Sequence, residues 1–194
     1  DHPMAAEVIA AMDCDWASVT RALNGPAPGG RPVWYQKHMP HHMAGPVGIA
    51  QFPGHAHAFL IREPERVVAS YGVKRGAARV EDLGYQRQLS YLEWVLARGQ
   101  TPVVVDTTSF LTDPAAKLPL LCERLGIAWD RAMLRWAPGI HPHDGIWASH
   151  WYDAVAASST FGPPPGPLPE LSGEAARVAA ACRPAYEAMR VYAI

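Results

Sequence analysis

Residues 58–71 read AFLIREPERVVASY, and the order of residue types in this stretch decides the fold. Ala58 to Ile61 form a short apolar run of the kind that makes a buried strand. The run meets Arg62 without a break. Two residues later Pro64 suits the first position of a helix, where its missing N–H is not needed. Ser70 follows eight residues after Arg62, almost two turns into that helix. An arginine at a strand end presents a planar fork of donors matched to a phosphate. A serine hydroxyl on the exposed helix face adds a neutral donor to the same anion. Arg66 shares the face of Ser70 at the i, i+4 spacing and reads as a solvated or supporting residue. The plainer alternative is a strand–turn–helix with a surface arginine.

Working outward, two further segments read as strands. Val33–Lys37 is one, and Pro102–Asp106, with its VVVD run, is the other. Together with Ala58–Arg62 they predict one mainly parallel sheet, with VVVD as its most buried strand. Helices are expected over 3–23, from Pro64 to about Lys74, over 81–98, from Asp113–Pro114 to Leu125, and over 173–191. Gly126 closes the fourth of these. Strands alternating with helices imply crossovers, so the fold class is α/β with helices on both faces of the sheet. The chain of 194 residues suits one domain. Within it, residues 136–169 form an irregular connection rich in Pro, Trp and His. Ligands in such folds sit at the C-terminal ends of strands. Lys37, His38, Arg62 and Asp106 all fall there.

Composition narrows the function. Seventeen Lys and Arg stand against eighteen Asp and Glu, with 49 % apolar and 18 % charged residues. This balance argues against a broad nucleic-acid or membrane-surface binder. No apolar run reaches membrane-spanning length. Cys14, Cys122 and Cys182 are odd in number and far apart, which points to a reducing, cytoplasmic setting rather than a disulfide framework.

The segment VWYQKHMPHHM, residues 33–43, carries the second set of chemical groups. His38 follows a predicted strand end and Pro40 fixes the turn after it. A histidine here can act as a general base, and Lys37 beside it can offset developing negative charge. His41 and His42 are rivals for the base. Metal binding by His41 and His42, or by the pair His141 and His143, is disfavoured because neither cluster carries an acidic ligand at suitable spacing. Asp106 reads equally as an orienting carboxylate or as a cap.

The strand–Arg–x–Pro–x₅–Ser arrangement of Arg62 and Ser70 is similar to the 3′-phosphate motif of nucleotide-dependent sulfotransferases. Gln36–Lys37–His38–Met39–Pro40 resembles that family's Lys-Thr-His-Leu-Pro, with Gln36 in the lysine position and Lys37 one place later. VVVDTTSFLTDPAAKLPLLCERLGIAWD (103–130) resembles its late strand and helix. DGIWASHWY (144–152) resembles its Gly-x-Trp segment, without the basic Arg-Lys-Gly that normally precedes it. The resemblance implies a three-layer, P-loop-NTPase-like fold and 3′-phosphoadenosine-5′-phosphosulfate as donor. It implies Arg62 and Ser70 on the 3′-phosphate and His38 as catalytic base, with Lys37 or Gln36 near the bridging oxygen. Trp147, Trp151 and Tyr152 are candidates to cover the base or the acceptor. The partner is a small-molecule acceptor carrying a hydroxyl or amine. No metal, nucleic acid or membrane is called for, and a homodimer is compatible with the sequence. GPAPGG (25–30) is a poor phosphate cradle, because prolines remove donors. The family's first strand and phosphosulfate loop are therefore expected upstream of Asp1. The alternative function is a divergent, non-catalytic nucleotide-binding or scaffold protein. A kinase-type reading lacks the Gly-Lys-Ser/Thr loop it needs.

Overall fold

The computed structural model describes residues 4–43, 45–141 and 144–194, without the side chains of His42 and Lys74. It is a mixed α/β structure with many helices and a small parallel sheet. The chain divides into two compact units. One runs up to Pro32 and resumes over Asp130–Gly162, and the other comprises Val33–Trp129 and Pro163–Ile194.

The first unit contains α1 (Ala5–Ala11) and α2 (Trp16–Leu23). A single helix over 3–23 is expected from the apolar spacing; Pro3 lies outside the described residues. The helix is interrupted because two short acidic side chains recapture backbone amides. Asp13 accepts from the Asp15 amide at 2.9 Å, and Asp15 caps α2 by accepting from the Ser18 amide at 2.7 Å. The irregular stretch is more ordered locally than its composition suggests. Arg135 and Thr160 form an antiparallel bridge, Trp136 donates from Nε1 to Ser158 Oγ at 3.0 Å, and its ring meets Phe161 edge-on at 5.3 Å.

The second unit holds the sheet. Its strands are β1 (Ala58–Ile61) and β2 (Val103–Asp106), paired in parallel with Ala58 opposite Val103 and Ile61 opposite Asp106. Its helices, in order, are α3 (Pro64–Arg75), α4 (Val80–Leu83), α5 (Tyr85–Ala97), α6 (Thr107–Thr112), α7 (Pro114–Leu125) and α10 (Gly173–Arg190). Between α7 and α10 in the chain, the first unit contributes α8 (Ala148–Trp151) and α9 (Asp153–Ala156). Successive strand residues face opposite sides. Phe59, Ile61 and Val104 point into a core with Cys182, Ala185 and Met189 of α10. All four residues of β2 are buried, as the VVVD reading expects. β1 is buried on one face only, and Leu60 on the other face is 62 % exposed. The end of the chain adds to β2, with Ala193 bridging Val104 and the Ile194 amide donating to the Val104 carbonyl at 3.1 Å.

Two further expectations are corrected. Val33–Lys37 is not a strand. The segment lies between Pro32 and Pro40 and has no ladder partner among the described residues, and Val33 and Tyr35 are exposed. Its alternating pattern is real, but only Trp34 and Gln36 find cover. The helix expected over 81–98 is two helices, α4 and α5, separated by Gly84 in the left-handed region at φ 71°.

Asp106 ends β2 with a carboxylate only 4 % exposed. One oxygen caps α6 by accepting from the Ser109 amide at 2.9 Å, and the other accepts from the Tyr186 hydroxyl at 2.7 Å. Burial first, and then the bond to Asp106, push the Tyr186 phenol upward, so it remains a donor. Tyr186→Phe keeps the ring and removes this donor from a buried carboxylate. We expect it to lower stability by about 1–3 kcal/mol in urea denaturation, whereas an unchanged midpoint would show that the carboxylate is satisfied by other means.

Candidate functional site

The strand–turn–helix forms as its sequence dictates. β1 delivers Arg62 to the C-terminal end of the sheet, Glu63 precedes the helix, and buried Pro64 is the first residue of α3. The two arginines of this corner have opposite fates. Arg66 is anchored: its side chain is 11 % exposed, it pairs with Glu63 at 3.2 Å, and it donates to the carbonyls of Gly166 at 2.5 Å and Pro167 at 3.3 Å. Of the two roles expected for Arg66, support is the one it has, since it ties a distant loop to α3. Arg62 is exposed, and its guanidinium has no hydrogen-bond or ion-pair partner among the described residues. Ser70 is exposed as well, roughly 9 Å further along α3 than Pro64 at about 1.5 Å of rise per residue. Ser70 lies on the helix face that also carries Glu63 and Arg66.

The main chain of this corner is held from α5. The Tyr85 hydroxyl donates to the Arg62 carbonyl at 2.7 Å, and the Gln88 amide donates to the Leu60 carbonyl at 3.1 Å. Neither residue stands out in the sequence, because their partners lie more than twenty positions away. Burial pushes the Tyr85 phenol upward, which keeps it protonated.

His38 lies in the extended segment before a short 3-10 turn, Pro40–His42. Its Nε2 is 3.4 Å from Gln36 Oε1. Its ring stacks at a tilt on Phe52, with centroids 5.7 Å apart. From there a column of rings continues through the same unit. Phe52 meets His55 edge-on at 5.3 Å, His55 lies 6.4 Å from His57, and His57 meets Trp94 edge-on at 5.9 Å. The Arg98 guanidinium covers Trp94 at 4.6 Å. His57 is fixed by a 3.0 Å contact between Nε2 and the Phe52 carbonyl. Although part of its ring reaches solvent, His38 is pushed below the ordinary histidine range, first by desolvation on its Phe52 side and then by His55. His57 shifts in the same direction, mainly by burial. The alternation PGHAH over 53–57 was a signal for this column, since residues two apart in extended chain share a side.

Lys37 is exposed beside His38. His41 is half-buried in the turn, and the side chain of His42 lies outside the described residues. His143 also lies outside them, while the His141 amide donates to Asp144 at 2.8 Å. No group of three or more His, Cys, Asp or Glu side chains suited to a metal occurs among the described residues. Asp106 is the cap of α6. Trp147, Trp151 and Tyr152 belong to the first unit, where His150 packs edge-on against Trp151 at 4.6 Å.

Comparison with known proteins places the chain in a family. Two Arabidopsis thaliana proteins, branched-chain-amino-acid aminotransferase-like proteins 2 and 1, are 28 % and 29 % identical over 164 residues. The match takes in 84 % of this chain but 29 % of each relative, so the chain spans under a third of their length. No solved structure matches significantly. The family model described as a sulfotransferase domain matches residues 1–193, through both compact units. The chain belongs to the sulfotransferase domain family.

Proposed function

We propose that the chain is a single catalytic domain, with the three-layer nucleotide-binding form of its family. In this reading it moves a sulfuryl group from 3′-phosphoadenosine-5′-phosphosulfate to a hydroxyl or amine of a small-molecule acceptor. Arg62 and Ser70 receive the 3′-phosphate. His38 is the base, and Lys37, or Gln36 in the family's lysine position, faces the bridging oxygen. The observation that carries the reading is the exposed guanidinium of Arg62, without a partner among the described residues, at the C-terminal end of a parallel strand, with Ser70 exposed on the following helix. Such a position is where α/β sheets bind ligands.

The chemistry follows from these placements. The acceptor gives its proton to the neutral imidazole of His38 as its oxygen or nitrogen bonds to sulfur. The bond from sulfur to the bridging oxygen breaks, and its electron pair leaves with adenosine 3′,5′-bisphosphate. A cation at that oxygen offsets the charge that develops there. Free cysteines at Cys14, Cys122 and Cys182 fit a reducing, cytoplasmic location. Among the described residues no helix is long and apolar enough to cross a membrane.

Calorimetry with adenosine 3′,5′-bisphosphate on the full-length protein tests the nucleotide site. Arg62→Ala should cost about 1.5–3 kcal/mol of binding, and Ser70→Ala less, because a charge-assisted bidentate contact is roughly twice as strong as a neutral one. Adenosine 5′-monophosphate, which lacks the 3′-phosphate, should bind nearly as before. Equal losses for both ligands would assign the two residues to the fold instead.

The base is tested by turnover. His38→Ala should reduce kcat by about 10²–10⁴-fold while nucleotide affinity holds. His38 is depressed below 6.5, so it is neutral and competent at pH 7. Activity should therefore fall only as pH drops through that lowered value, giving kcat/KM an acid limb below 6.5 that His38→Ala abolishes. Retained turnover in His38→Ala, with loss in His41→Ala or His42→Ala, would move the role to that residue. If none of the three matters with a known acceptor, the domain is a nucleotide-binding scaffold.

A further inference from the structure

Four contacts converge on one turn of helix. Tyr85 and Gln88 lie three apart at the start of α5, on one face, and donate to the carbonyls of Arg62 and Leu60. Alternate carbonyls of a strand point the same way, so the pair grips the end of β1 from a single side. Gly84, immediately before, packs on Pro40. A Cβ there would lie 2.9 Å from the Pro40 Cβ, and φ is 71°, so both space and backbone require glycine. Arg87, between the two donors, donates to the Met43 carbonyl. The same turn therefore touches the main chain on both sides of the proposed reaction centre.

We propose that residues 84–88 are a positioning clamp that fixes the phosphate-binding end of β1 relative to the turn that follows His38. The proposal rests on the sulfotransfer reading above. Its physical basis is that Arg62 is the first residue beyond β1, two before α3 begins, where ladder pairing stops and the side chain's direction depends on one peptide plane. Tyr85 holds that plane through a buried, protonated hydroxyl. His38 sits in chain without ladder partners, so the turn at 40–43 is fixed by side contacts, which Gly84 and Arg87 supply. A misplacement of about 1 Å in such groups costs on the order of 10²-fold in rate.

The two arms make different predictions, which separates positioning from general packing. Tyr85→Phe retains the ring and loses one donor. It should weaken adenosine 3′,5′-bisphosphate by about 2- to 10-fold, leave adenosine 5′-monophosphate unaffected and leave kcat at saturating donor nearly unchanged. Gln88→Leu should act in the same direction, and serves if Tyr85→Phe folds poorly. Arg87→Met should lower kcat by about 10-fold or more with nucleotide affinity unchanged. Calorimetry, steady-state kinetics and thermal melts on the full-length protein give all three readouts. Affinity and turnover falling together in every variant, in step with lost stability, would make the turn ordinary packing and overturn the clamp. Unchanged affinity in Tyr85→Phe and Gln88→Leu would overturn it too, while a loss in Arg62→Ala would leave the nucleotide reading standing. Unchanged affinity in Arg62→Ala itself would remove both.

Discussion

The parallel pairing of β1 with β2 is the constraint from which the site follows. Parallel strands bring their C-terminal ends to one edge of the sheet, and the register sets Ile61 opposite Asp106. The next residue after Ile61 is Arg62, and α6 begins directly after Asp106. A cation and an anion thus leave the sheet at the same end. They are treated differently. Asp106 is buried and fully engaged, by the amide of Ser109 and the hydroxyl of Tyr186. Its role is to join the end of β2 to α10. Arg62 is exposed, its carbonyl is held by Tyr85, and its guanidinium has no partner among the described residues. One strand end is locked so that the other can present a charge.

What the sequence made legible was local chemistry. Pro64 opens α3, Asp113 caps α7 and Gly126 closes it, and the β-branched run before Asp106 makes the most buried strand. Each depends on neighbours a few positions away. The break between α1 and α2 is local too, set by Asp13 and Asp15, but the other misreadings depend on distant residues. Val33–Lys37 alternates like a strand, yet a strand exists only where another chain segment offers a ladder. Gly84 interrupts a good helical pattern because Pro40 approaches closely, more than forty residues upstream. For Arg66 the sequence left a solvated and a supporting role open, and the carbonyls that decide for support lie a hundred residues further on. Arg62 and Ser70 were readable as site candidates because their spacing is local; Tyr85 and Gln88, which hold that corner, were not.

The histidines show how environment rather than residue type separates roles. His38, His55 and His57 share one column of rings, and each protonated imidazole would repel the next. Desolvation by Phe52 and Trp94 works in the same direction. His38 and His57 are thereby both pushed toward the neutral imidazole, the form in which a histidine can accept a proton. Lys37, one residue from His38, lies outside this column and is exposed. Neighbouring residues of one short segment thus supply a neutral acceptor and a cation.

Glu63 poses the remaining electrostatic question, because a carboxylate adjacent to Arg62 would repel a phosphate and compete for the guanidinium. The structure removes that competition. Glu63 Oε2 accepts from Arg66 Nε at 3.2 Å and from the Thr108 hydroxyl at 2.7 Å, and its side chain is only 13 % exposed. Two donors from two different helices turn this carboxylate inward and leave its charge compensated by Arg66. Arg66 therefore shapes the charge of this corner, although it points elsewhere. Its ion pair with Glu63 leaves the neighbouring Arg62 guanidinium without an ion-pair partner among the described residues where β1 ends.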